Sequence, residues 1–156
     1  MQTTPAEEFG FADVMPDAIV ANDNCAHGAG APHYVSHLND LPIEGGFGPE
    51  YGGATWRTLI SSDRTSSQGL VLGVAQIPAG GVLAAHRHPP AEFYFVLSGF
   101  GVVTIDGVAH DVTHGSSVFV PGNAEHSMAA GAQGISFAYG FAENAFSDIQ
   151  YTFSDH

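Results

Sequence analysis

The sequence predicts an all-β domain, folded as an antiparallel barrel or sandwich of short strands. Short apolar runs follow one another along the second two thirds of the chain, with turn signals between them. Gly and Pro contribute 20 and 9 of the 156 residues, which favours many tight turns over long helices. Apolar residues make up 44% of the chain, enough for one packed core in a single domain.

The predicted strands differ in how clearly they end. Asp106-Gly107 is a two-residue hairpin turn, because both residue types tolerate positive φ. Pro89 and Pro90 end the strand before them, since proline cannot donate to a β-ladder. In order, the predicted strands span residues 54–60, 69–77, 82–88, 92–97, 101–105, 108–112, 117–120, 125–130, 135–141 and 149–153.

The chain is predicted to have two unequal parts. Residues 1–50 form an acidic N-terminal arm without Lys or Arg, and residues 51–156 form the barrel domain. Within the arm, residues 34–43 are expected to pair with the barrel or cover its mouth. The arm has too little apolar periodicity to be an independent domain.

The charge balance excludes several kinds of partner. The chain has three Arg, no Lys and 16 acidic residues, for a formal net charge of -13. Nucleic acid and anionic membrane surfaces would be repelled, and no basic patch could release counterions. No apolar stretch is long enough to span a bilayer, and the N-terminus lacks the pattern of a secretory signal. We therefore expect a soluble, cytoplasmic protein.

One segment carries most of the chemical information. His86 and His88 are two residues apart and therefore share a face of one strand. After the proline turn, Glu92 and Tyr94 share a face of the returning strand. Two imidazoles and a carboxylate brought together in this way suit Fe, Mn, Ni, Co or Zn. His126, which opens a later strand after a turn, is the fourth ligand candidate.

The two segments together resemble the two sequence motifs of the cupin family. The second departs from the usual pattern at Asn123, where Gly is common, and at Ala130, where Asn is frequent. The matching positions are Gly80, His86, His88, Glu92 and Gly99 in the first motif and Gly115, Pro121 and His126 in the second. The resemblance implies a double-stranded β-helix, or jelly-roll barrel, that binds one divalent transition metal ion on three His and one Glu. It also suggests a homodimer formed through an edge strand.

Among cupins, the chain is similar to the small dimethylsulfoniopropionate (DMSP) lyases. The similarity lies in the ligand set with Tyr94, and more weakly in the segment 51–57 before the barrel. It implies a β-elimination that yields dimethyl sulfide and acrylate, with the metal on the substrate carboxylate and Tyr94 as base. A sulfonium cation favours aromatic ring faces, and Trp56 and Tyr139 are the candidates for that contact.

Other activities fit the same ligands. A cupin dioxygenase would use Fe(II) with open positions for O₂, and an isomerase or cyclase would need no O₂ and cleave no C–S bond. A small-molecule-binding barrel without turnover is a third alternative. All of these share a small-molecule partner, which we expect to be a small carboxylate.

Overall fold

A computed structural model of the chain describes residues 33–45 and 49–154. Most of the predicted arm, residues 1–32 and 46–48, therefore lies outside the described residues. Within the described ranges, no helix is long and apolar enough to cross a membrane. The strands are β1 (Thr55–Ile60), β2 (Val71–Ile77), β3 (Val82–Arg87), β4 (Glu92–Ile105), β5 (Val108–Thr113), β6 (Ser117–Val120), β7 (His126–Phe141) and β8 (Thr152–Phe153).

The two long strands, β4 and β7, organise the barrel. They pair with each other along most of their length. The sheet is bent and has two parts, and each of these two strands has one half in each part. One part runs β1-β2-β7-β4-β6, and the other runs β8-β3-β7-β4-β5. All of these pairings are antiparallel. The predicted all-β jelly-roll fold is therefore confirmed.

Two predicted strand breaks are wrong. Residues 92–97 and 101–105 form the single strand β4, which shifts register on both sides of Gly99. Gly99 has a φ of 79°, and a Cβ there would collide with the carbonyl oxygen of Gly134. Glycine thus produces a bulge that bends the strand rather than ending it. β7 likewise continues through the predicted gap after residue 130.

Alternation along the strands places the core inside the barrel. On β4, Tyr94 and Val96 are buried, whereas Phe93 and Phe95 point outward and are 39% and 44% exposed. The predicted hairpin turn is present, with φ of 46° at Asp106 and 79° at Gly107. The most deeply buried apolar side chains are Val71, Ile77, Val96, Val103, Val120, Met128, Phe137 and Phe141.

Both ends of the described chain pack on the barrel. Glu44 and Trp56 exchange two backbone hydrogen bonds of 2.7 and 2.9 Å, which attach the end of the arm to β1. Arg57 Nε donates to Leu41 O at 3.1 Å. The predicted last strand is shorter than expected, because only Thr152–Phe153 pairs with β3. A 3₁₀ turn over Phe146–Asp148 precedes it.

Candidate metal centre

Three histidines converge inside the barrel. His86 lies on β3, His88 follows that strand, and His126 opens β7 directly opposite His86. Each is only 1% exposed. Their ligand nitrogens all lie within 4.8 Å of one another, close enough to hold one metal ion. The turn at residues 89–91 then brings Glu92, at the start of β4, to the same place.

Backbone carbonyls orient all three rings. In each, Nδ1 contacts a carbonyl oxygen two residues away in the chain. Because a carbonyl can only accept, Nδ1 carries the proton and Nε2 presents its lone pair, as metal ligation requires. The carbonyls belong to Ala84, Pro90 and Ala124, at 2.8, 2.9 and 2.9 Å respectively.

Glu92 is the fourth ligand-type group of this cluster. Its Oε2 lies 3.2 Å from His88 Nε2 and 3.3 Å from His126 Nε2, and the Tyr94 hydroxyl donates to it at 2.9 Å. His126 Nε2 is buried and makes no hydrogen bond to any described residue. An orphaned lone pair beside a buried carboxylate fits a divalent transition metal ion, which would satisfy both.

Burial and mutual charge set the protonation of the cluster. Burial, and secondarily the neighbouring His126, lowers the pKa of His86 to about 4, which keeps this ring neutral at pH 7. Burial opposes ionisation of Glu92, but the His126 and His88 rings beside it bring the pKa of its carboxyl below the usual value. Burial and the Glu92 charge raise the pKa of Tyr94 well above its usual value. His86 is therefore a neutral imidazole donor and Glu92 an ionised carboxylate donor, whereas burial of His88 is outweighed by the hydrogen bond and charge of Glu92, which raise the pKa of His88.

A small aromatic cavity of about 40 Å³ opens beside this cluster. Of the residues predicted for the site, His86, Glu92, Tyr94, Trp56 and Tyr139 line it. The remaining lining residues are Ala54, Ala75, Leu83, Phe137, Phe146 and Tyr151.

The position of Tyr139 depends on a glycine opposite it. Gly73 pairs with Tyr139 across β2 and β7, and a Cβ at Gly73 would overlap the Tyr139 ring. The Tyr139 hydroxyl is buried and makes no hydrogen bond to any described residue. The phenol therefore has an unused polar end within the cavity wall.

Sequence reasoning missed three aromatic residues of the cavity, Phe137, Phe146 and Tyr151. The Tyr151 ring centroid lies 5.2 Å from that of His86 and 5.3 Å from that of His88. The Phe146 ring centroid lies 6.0 Å from that of Trp56 and 5.9 Å from that of Tyr139. Tyr151 belongs to a segment predicted as a strand, and its aromatic side chain is the one feature of the sequence that could have indicated a place in the cavity. No pattern in the sequence around Phe146 indicates that it lines the cavity.

Comparison with known proteins agrees with the fold. Residues 73–135 match the cupin domain family. Over 123 residues, the chain is 46% identical to the dimethylsulfoniopropionate lyase DddW of Ruegeria pomeroyi. The aligned region covers 79% of this chain and 80% of that protein. The chain therefore belongs to the cupins and, within them, to the family of this lyase. The resemblance predicted from the two motifs is confirmed.

Solved structures support the same fold. The polyketide cyclase RemF from Streptomyces resistomycificus aligns with a TM-score of 0.66 at 21% identity, covering 80% of this chain and 89% of that one. A structure from work on the DMSP lyases RdDddP and RnDddQII aligns with a TM-score of 0.64 at 20% identity, covering 74% and 63%. At such identities the likeness concerns the fold alone.

Proposed function

We propose that the chain is a metal-dependent carbon–sulfur lyase that cleaves dimethylsulfoniopropionate to dimethyl sulfide and acrylate. The observation that carries this proposal is the placement of the Tyr94 phenol 2.9 Å from Glu92, on the wall of a small aromatic cavity beside three oriented imidazoles. The 46% identity to a DMSP lyase supports DMSP as the substrate. A cytoplasmic location and a homodimer stay predictions from the sequence.

In this proposal, His86, His88, Glu92 and His126 hold one divalent ion of Fe, Mn, Zn, Ni or Co. The donor set does not select among these metals, because imidazole and carboxylate suit several first-row ions. When bound, the ion would act as a Lewis acid on the substrate carboxylate, and its positive charge would oppose the effects that raise the pKa of Tyr94.

Tyr94 is the proposed base of the elimination. In its ionised form, having lost the phenol proton to solvent, the Tyr94 oxygen takes the proton from the carbon next to the substrate carboxylate and becomes a phenol again. The electron pair of that C–H bond forms the C=C bond of acrylate, and the carbon–sulfur bond breaks with its pair going to sulfur. Dimethyl sulfide leaves as a neutral molecule, so no acid is needed to protonate it.

Aromatic rings supply the proposed contact with the sulfonium. Trp56, on β1, and Tyr139, on β7, both line the cavity. A cation over a ring face gains about 0.5–2 kcal/mol, depending on its desolvation. The cavity thus pairs a carboxylate-binding end with a cation-binding wall, which matches the two charged groups of the substrate.

Release of dimethyl sulfide is the direct test of this function. Protein loaded with Fe(II) or Mn(II) is incubated with DMSP, and headspace dimethyl sulfide and dissolved acrylate are measured together. We expect equal amounts of both products and none after the metal has been removed with a chelator. Oxygen uptake without dimethyl sulfide would instead indicate a dioxygenase, and binding without any turnover would indicate a binding protein.

Substituting Trp56 tests the sulfonium contact. We expect Trp56→Leu to raise KM for DMSP by about two- to thirty-fold, since that range corresponds to one cation–π contact. The inhibition constant of 3-(methylthio)propionate should change much less, because this analogue has the carboxylate but an uncharged sulfur. An equal loss for both compounds would show that Trp56 contributes only packing.

A further inference from the structure

A hydrogen-bonded cluster outside the cavity reaches the segment that carries Phe146. Ser61 follows β1 and is completely buried. Its hydroxyl accepts from the Phe146 backbone N–H at 2.8 Å and donates to the Asp63 carboxylate. The other Asp63 oxygen accepts from Ser147 N–H at 3.4 Å. Two side chains of one loop therefore bind consecutive amides of a distant turn.

That turn has little support of its own. The 3₁₀ turn over Phe146–Asp148 is three residues long, and its N-cap, Ala145, has no side chain that could cap it. Short 3₁₀ turns have poor internal hydrogen-bond geometry. Ser61 and Asp63 therefore take the place of a local cap.

Arg64 connects this loop to the segment that pairs with Trp56. Its guanidinium forms an ion pair with Glu44 and lies 3.9 Å from the Asp63 carboxylate. Glu44 pairs through its backbone with Trp56, and its carboxylate accepts from Thr58 N–H at 3.2 Å. One of only three basic residues in the chain thus joins the segment beside Trp56 to the loop that holds Phe146.

The two segments carry aromatic rings that pack against each other in the cavity wall. The ring centroids of Trp56 and Phe146 are 6.0 Å apart with their planes at 55°, and both rings line the cavity. We propose that Ser61, Asp63 and Arg64 are positioning residues that hold the Phe146 ring against Trp56 and so set the shape of this aromatic wall of the cavity. The effect on turnover rests on the proposed function, whereas the effect on the two rings does not.

Trp56 fluorescence reports on this arrangement directly, because it is the only tryptophan in the chain. We expect Ser61→Ala and Asp63→Ala to shift its emission to longer wavelength and to increase its quenching by acrylamide. Asp63→Asn keeps an acceptor oxygen and should recover part of the wild-type emission. Ser116→Ala is the matched control, because the Ser116 hydroxyl accepts the Thr113 N–H at 3.0 Å in a turn remote from the cavity.

Kinetics then separate positioning from general loss of structure. We expect Asp63→Ala to raise KM for DMSP about three- to ten-fold with little change in kcat, since a cavity ring is displaced and not removed. Asp63 is partly exposed, so Asp63→Ala should fold. The proposal can therefore be tested with this variant even if Ser61→Ala fails to fold. Unchanged Trp56 emission and quenching in Asp63→Ala would overturn the proposal. If wild type releases no dimethyl sulfide while the emission still shifts, the lyase assignment fails and the positioning role stands.

Discussion

Replacing Tyr94 with phenylalanine is expected to reduce dimethyl sulfide release by about 10²- to 10⁴-fold, the usual contribution of a positioned general base. The change removes one oxygen from a side chain that is 2% exposed, so the ring continues to fill the barrel. The loss should fall on kcat, because the phenol acts on the proton and not on substrate binding. Initial rates over a range of DMSP concentrations measure it, at equal metal content per chain.

Two tyrosines serve as comparisons for this prediction. Tyr51 stacks on Phe153 with 4.1 Å between ring centroids and does not line the cavity, so Tyr51→Phe should keep wild-type kcat. Tyr151 is the other phenol beside the histidine rings. If Tyr151→Phe abolishes turnover while Tyr94→Phe does not, the base has been assigned to the wrong tyrosine.

Removing His126 is expected to abolish both metal binding and activity. The imidazole is completely enclosed, and its free Nε2 lies 3.3 Å from the Glu92 carboxylate. No neighbouring side chain among the described residues could replace this nitrogen from the same position on β7. We expect His126→Ala to lower turnover about a thousandfold or more, in line with the several kcal/mol that a metal ion contributes to such reactions.

Thermal unfolding measures the binding half of this prediction separately. For wild type, metal at one hundred times its dissociation constant should add about 2.7 kcal/mol of stability and raise Tm by about 5–10 °C. His126→Ala should show no such rise. His110→Ala, on the exposed face of β5, should respond to metal as wild type does. A full metal-dependent rise in the His126 variant would remove this residue from the ligand set.

The clustering of His86, His88 and Glu92 could be predicted from the sequence because it depends on local geometry. His86 and His88 share a face by strand periodicity, and a proline turn returns the chain to Glu92 within four residues. The prediction of His126 depended on the second motif as well. The structure places all four side chains together, with the predicted Tyr94 donating to Glu92.

The rest of the cavity depends on contacts that no local pattern encodes. Phe146 is held by Ser61, which precedes it by 85 residues, and neither residue type signals that contact. The merged strands were missed for a related reason. Gly99 resembles a turn signal in sequence, but pairing with β7 keeps it inside a strand as a bulge.

The pairing of His86 with His126 across β3 and β7 has a kinetic consequence. These residues are 40 positions apart, so the donors meet only after non-local strands have associated, which is the slow part of folding a β-barrel. A metal ion can therefore bind strongly only to a chain that has passed its transition state. It should slow unfolding without speeding refolding. An ion bound by these donors would therefore stabilise the folded barrel without directing its assembly.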